Sequence, residues 1–229
     1  MHTHPRLDDL GRKVEIHHPH QPSPLASWQD HRQMATVLPD GPMPSRLNQV
    51  LFRPWIMAPS DRIAWDELTR AQELEADDPP FAAKGLPGAA GAVVVEADGR
   101  VWVVAPTNGY GSKTTFPKGH TDGLGLRAAA AKEVFEESGL RVEILGHLLD
   151  VTRTTTRTRY YLARRTGGTP ADMGWESQAV LLVPADDLKI ILTRPVDRQI
   201  VDALLERMGE WAGWFSGVHK PAPDSSLPS

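Results

Sequence analysis

Cysteine is absent from the 229 residues, which excludes disulfides, thiolate metal sites and a cysteine nucleophile. No apolar run reaches the roughly 18 residues a membrane helix needs. The start, Met1-His2-Thr3-His4-Pro5, lacks the basic and then apolar order of a signal peptide. A cytoplasmic location without a membrane partner is therefore the expectation. Excess positive charge is also missing: the formal net charge is -4, so no broad electrostatic footprint for nucleic acid exists. Proline, by contrast, is plentiful, and it clusters outside the central run, which marks irregular flanks. The length accommodates one full core plus an extension.

The chain is organised around Phe116-Pro117-Lys118-Gly119-His120, a short turn through Thr121-Asp122-Gly123, and the run from Leu124 to Leu140. Leu126 to Ser138 is rich in strong helix formers and is followed by Gly139, the residue best suited to a left-handed helix end. A helix of about three to four turns is predicted. Glu133, Glu136 and Glu137 stand at i, i+3 and i+4, so a single turn carries three carboxylates on one face. A solvated acidic face is the common meaning of that pattern. The other is a divalent cation, which relieves the repulsion; oxygen-only ligands point to Mg²⁺ or Mn²⁺. Lys118-Gly119 favours the second, since glycine lets backbone approach a ligand closely and lysine offers charge for a phosphate.

Before this centre, residues 1–45 are proline-broken and polar, and little regular structure is predicted there beyond one short strand at 13–16. His2, His4, His17, His18, His20 and His31 lie in or near this segment, but the ordering entropy weighs against a metal site. Residues 46–85 form an N-terminal segment with a helix after Ser60, the candidate N-cap, with Ile63, Leu68, Ala71 and Leu74 sharing a face. Strands at 91–96 and 100–104 joined at Asp98-Gly99 read as a hairpin. In the loop that follows, Tyr110 and Lys113 are placed to meet a substrate base or phosphate, or merely to connect.

After the helix, 141–152 and 157–165 read as antiparallel strands. Arg157 and Arg159 alternate with threonine and share a strand face, where guanidinium groups grip phosphates or, alternatively, guard a sheet edge. Glu176, at the end of a long loop, is the candidate additional acid. A buried strand at 179–183 and a closing helix from Asp197 to Phe215 complete the domain, the helix stripe serving the core or a homodimer contact. Residues 217–229 form a Pro/Ser-rich tail expected to be flexible. The alternation defines an α+β fold, an α/β/α sandwich with a mixed β-sheet.

Taken together, Gly119 and Lys132-Glu133-Val134-Phe135-Glu136-Glu137-Ser138-Gly139-Leu140 resemble the Nudix box, Gly-x5-Glu-x7-Arg-Glu-U-x-Glu-Glu-x-Gly-U, with Phe-Pro-Lys-Gly-His as a family lead-in. Three departures stand out: the turn is one residue short, the mid-box glutamate is absent near Leu124-Gly125, and Lys132 replaces arginine. In the family those two missing groups help orient the metal-binding helix, so their loss points to a different support for it or to weaker catalysis.

The resemblance implies a Nudix-like domain over 86–216 and a metal-dependent pyrophosphohydrolase using Mg²⁺ or Mn²⁺. It implies Glu133, Glu136 and Glu137 as catalytic and metal-binding residues, with Lys118 as a further ligand through its carbonyl. Lys118, Tyr110, Arg157 and Arg159 would bind the substrate, a small-molecule phosphate anhydride. Dinucleoside polyphosphates, diphosphoinositol polyphosphates, ADP-ribose and nucleotide sugars are all open, and aromatic residues near Tyr110 or Trp55 offer a stacking surface for a base. The alternative is a binding or regulatory module that retains the fold without turnover. A third reading makes residues 1–85 a partner-binding appendage whose removal leaves turnover intact.

Overall fold

A computed structural model describes residues 2–17, 21–72, 77–107 and 113–215, without the side chains of His2 and 209–215. In chain order the elements are β1 (His2–Thr3), β2 (Glu15–Ile16), β3 (Ala35–Val37), β4 (Arg46–Leu47), β5 (Val50–Leu51) and α1 (Arg62–Arg70). There follow β6 (Gly88–Val95), β7 (Val101–Pro106), β8 (Lys118–His120), α2 (Leu126–Ser138), β9 (Leu140–Thr152) and β10 (Arg157–Gly168). β11 (Ser177–Val183), α3 (Leu188–Ile191) and α4 (Pro195–Phe215) end the order.

The central sheet is mixed, with strand order β3-β11-β7-β6-β10-β9 and β8 paired to β6 off this path. β6 runs parallel to β10 and antiparallel to β7 and β8. The hairpin at Asp98-Gly99 forms as its sequence demands: Gly99 sits at φ +84°, and the Glu96 N–H donates to the Arg100 carbonyl at 2.8 Å. β6 then splits its free edge. Val94 and Val95 pair with β7, while Ala89 to Gly91 pair with β8, so the strand entering the box helix is wedged into the middle of the sheet.

Strand alternation separates two cores. Ala92 and Val94 face the layer under α2, whose Ala128, Ala129, Ala130 and Ala131 are all buried. Small side chains there let the helix lie close on the sheet. Val93 and Val95 face the other layer, where Ile200, Val201 and Leu204 of α4 are buried. The α/β/α sandwich is thus built with one helix layer per face.

The N-terminal region corrects the sequence expectation. Ala35–Val37 is fully buried and pairs with β11 as the edge strand of the central sheet, and Trp28 is buried between Phe52 and Trp102. Two buried arginines hold this region. Arg100 donates to the carbonyls of Trp28 at 2.7 Å and Ser27 at 3.1 Å. Arg165 pairs with buried Glu96, donates to the Leu47 carbonyl at 2.9 Å and lies over the Phe52 ring. Such contacts join residues far apart in sequence, which local pattern cannot reveal.

The α1 expectation also shifts by a residue. Asp61, rather than Ser60, is the N-cap, accepting the Ala64 N–H at 2.9 Å. Trp65 and Thr69 form the buried face while Ile63 is 72% exposed, because the large indole takes the inner position; Leu74 lies outside the described residues. Among the described residues no helix is long and apolar enough to cross a membrane.

Candidate active site

The site begins where β8 turns into α2. Backbone at Lys118 and Gly119 passes directly over the carboxylate face of the helix. The Lys118 N–H donates to Glu137 Oε2 at 3.0 Å. At Gly119 a Cβ would fall 2.0 Å from Glu133 Oε2, so only glycine admits that carboxylate. Glu133 and Glu137 are 7% and 8% exposed. They are therefore not the solvated face that bland composition would give.

Burial without full compensation shows in their proton affinities. Desolvation pushes Glu133 up to about 7, with Glu136 and Glu176 adding repulsion against the pull of Lys132 and Lys118. Desolvation likewise pushes Glu137 up to about 8, with Glu133 adding to it and Lys118 opposing. Glu136 behaves differently: it is exposed and hydrogen-bonded to Lys132 at i−4, and Lys132 also stands 3.8 Å from Glu133. Burial opposes the charge of Lys132, but the bond to Glu136 together with the charges of Glu136, Glu133 and Asp122 raises the ammonium pKa.

The helix end positions the next acid. Gly139 adopts φ +67° and closes α2, while the Gly174 N–H donates to the Glu136 carbonyl at 2.7 Å, satisfying one of the last carbonyls of the helix. That bond draws the 172–176 loop onto α2. Glu176 consequently stands at the same cleft, its pKa raised by partial desolvation and then by Glu136 and Asp9.

The cleft itself has a volume of about 680 Å³. Gly119, Glu133 and Glu136 line it from the box, and Trp175 and Glu176 from the loop. Arg6, Asp9, Trp55 and Ile56 line it from the N-terminal region. Arg6 is held by the Met173 carbonyl at 2.6 Å, and Asp9 accepts the Trp175 indole N–H at 3.1 Å. Sequence reasoning singled out Trp55 as a stacking candidate but missed Arg6, Asp9 and Trp175. No local signal marks the first two, because only the tertiary fold brings residues 6 and 9 to the box.

Of the sequence-predicted residues, Glu133, Glu136, Glu137, Glu176 and Lys118 come together. Arg159 does not. It is 1% exposed, and its guanidinium is committed to both Asp150 oxygens, at 2.7 and 2.8 Å, and to the Pro79 carbonyl at 2.8 Å. Arg157 donates to Thr152 Oγ1 at 2.9 Å, and neither arginine lines the cleft. Arg159 is thus corrected from a phosphate grip to a structural role, because alternation names the face the arginines share but not that Asp150 lies opposite Arg159. Tyr110 lies outside the described residues, as do His18 and His20.

The donor set fits a hard divalent ion in part. Among the described residues no three His, Asp or Glu side chains stand ready in ligating geometry, since Glu136 is turned toward Lys132. Two buried carboxyl groups whose ionised form burial disfavours in the absence of a cation nevertheless match an ion that takes few protein ligands and completes its shell with water and phosphate.

The NUDIX domain model matches residues 85–204, just over half the chain. The chain belongs to the Nudix hydrolase family. Among solved structures, a C. elegans Ap4A hydrolase in a binary complex is 20% identical with a TM-score of 0.46, over 55% of this chain and 98% of that one. A MutT NUDIX hydrolase from Burkholderia pseudomallei is 21% identical with a TM-score of 0.45, over 52% and 97%. A NUDIX hydrolase from Nitrosomonas europaea is 26% identical with a TM-score of 0.42, over 55% and 71%.

Proposed function

We propose that this protein is a metal-dependent pyrophosphohydrolase that cleaves a nucleoside diphosphate derivative or polyphosphate by attack of water on phosphorus. One observation carries the reading: two glutamates of one helical turn are buried under the Lys118–Gly119 backbone, Glu133 at the cleft wall where Gly119 leaves it room and Glu137 accepting the Lys118 N–H. Glu133 and Glu137 would hold Mg²⁺ or Mn²⁺, with Glu136 and the Lys118 carbonyl as further ligands. Such an ion neutralises the diphosphate and lowers the pKa of a bound water.

The chain's own residues supply the rest. Lys118 and Lys132 would bring positive charge to the phosphates, and Glu176, on the cleft wall with its pKa raised by burial, would take the proton of the attacking water. The water oxygen forms the new bond to phosphorus. The bridging oxygen leaves with its electron pair on the departing phosphate. Trp55 and Trp175 on the cleft wall favour an organic moiety with a flat ring.

The pairing of Glu136 with Lys132 favours a second reading, a binding module without turnover. One panel separates them: phosphate release from ADP-ribose, a nucleotide sugar, a dinucleoside tetraphosphate and a diphosphoinositol polyphosphate, with Mg²⁺ or Mn²⁺, for the wild type and Glu137→Gln. Metal-dependent release lost in the variant supports the hydrolase; tight binding with no release supports the module.

A further inference from the structure

The box helix starts without a cap of its own. Its N-cap is Gly125, which has no side chain to offer, and only the five residues 121–125 separate it from β8. The turn between them uses two consecutive residues at positive φ, Asp122 at +46° and Gly123 at +81°. Besides the backbone bonds Leu124 N–H to the Thr121 carbonyl and Thr121 N–H to the Gly88 carbonyl, two side chains of α1, which lies outside the matched family region, bond this turn. Asp66 Oδ1 accepts the Gly125 N–H at 3.1 Å, and the Arg62 guanidinium donates to the Gly123 carbonyl. The fit is close: a Cβ at Gly123 would lie 2.5 Å from Arg62 Nη2.

α1 grips α2 a second time, amid the carboxylates. Trp65, on the same helix as Arg62 and Asp66, packs against Trp55 at 5.6 Å and against Phe135 at 6.2 Å between ring centres. Phe135 lies between Glu133 and Glu137 in the sequence. Held at its first turn and at its carboxylate turn, α2 has little freedom to slide or rotate. The placement of Glu133 and Glu137 under Lys118 and Gly119 depends on that position.

We propose that Asp66 and Arg62 are positioning residues of the hydrolytic site. They act through the turn and α2, setting the two buried glutamates for the metal without touching metal or substrate. The proposal rests on the hydrolase reading for its kinetic consequence, but not for its structural or metal-binding consequence.

The test uses the full chain with Asp66→Ala, Asp66→Asn and Arg62→Ala. It measures amide hydrogen exchange, Mn²⁺ affinity by electron paramagnetic resonance, and turnover of ADP-ribose and a dinucleoside tetraphosphate. In Asp66→Ala, exchange at Gly125 and Ala129, whose N–H groups bond Asp66 and the Gly125 carbonyl, should quicken about fivefold or more while core-strand amides stay protected. Mn²⁺ affinity should fall by about fivefold and kcat by about tenfold, with KM little changed. Asp66→Asn should restore all three, because its amide oxygen accepts the same hydrogen bond. Faster exchange with Mn²⁺ affinity unchanged would overturn the proposal, as would equal losses in the alanine and asparagine variants. If the wild type turns over neither compound, the hydrolase reading is what suffers, and exchange with Mn²⁺ affinity still decides the role of Asp66.

Discussion

Gly119 lies so close over Glu133 that a single added methyl group would occupy the space of its carboxylate. The obstructing atoms are the far end of a flexible side chain, so Gly119→Ala should fold, with the glutamate swung aside. The expected outcome is a melting temperature within a few degrees of wild type and a loss of turnover of about 100-fold. A thermal melt beside an activity assay measures both, and a collapsed melt with full residual activity per folded molecule would contradict the assignment.

Arg165 and Glu96 form a buried pair that also serves Trp102 Nε1, Asn48 and the Leu47 carbonyl. Arg165→Met leaves Glu96 buried without its cation. Urea unfolding should show a loss of about 3–5 kcal/mol, and a change below about 1 kcal/mol would mean that Glu96 finds water or protonates cheaply.

Asp150 and Arg159 give a pH dependence of definite sign. Burial opposes ionisation of Asp150, but the hydrogen bonds and charge of Arg159 together with those of His147 hold the carboxyl below its ordinary value. The folded state then binds this proton less tightly than the unfolded state. The pair's stabilisation is complete above the unfolded carboxyl value of about 3.9 and is lost as pH falls through the lowered folded value. Asp150→Asn should therefore cost stability at pH 6 and progressively less below pH 4, as followed by denaturant unfolding across that range. A cost independent of pH would contradict the pairing.

Residues 1–45 supply an edge strand, the buried Trp28 and two side chains of the cleft wall. Their deletion should yield a destabilised chain with impaired turnover. Retention of both stability and activity in the truncated protein would restore the view of this region as an appendage.

Legibility in the sequence followed the range of the interactions. The Asp98-Gly99 hairpin and the helix stop at Gly139 are written within a few residues, and both appear in the fold; of the three carboxylates expected on one face, Glu133 and Glu137 are buried together while Glu136 is exposed and paired with Lys132. What escaped was long-range. β3 has three residues, too few for a period to show, and it exists because β11 offers an edge. The alternation of Arg157 and Arg159 named their face but not the aspartate waiting there. Arg6 and Asp9 reach the cleft only because 172–176 is pinned to α2. The altered box points to a different support for α2 or to weaker catalysis, and the bonds of Asp66 and Arg62 to the turn before α2 are what the proposal of a different support rests on.

The central claim concerns a cation held by Glu133 and Glu137, and calorimetric titration of Mn²⁺ into the metal-free full chain tests it most directly. The account predicts saturable uptake that Glu133→Gln and Glu137→Gln each weaken by about tenfold or more. Uptake absent from the wild type, or undiminished in both variants, would contradict it.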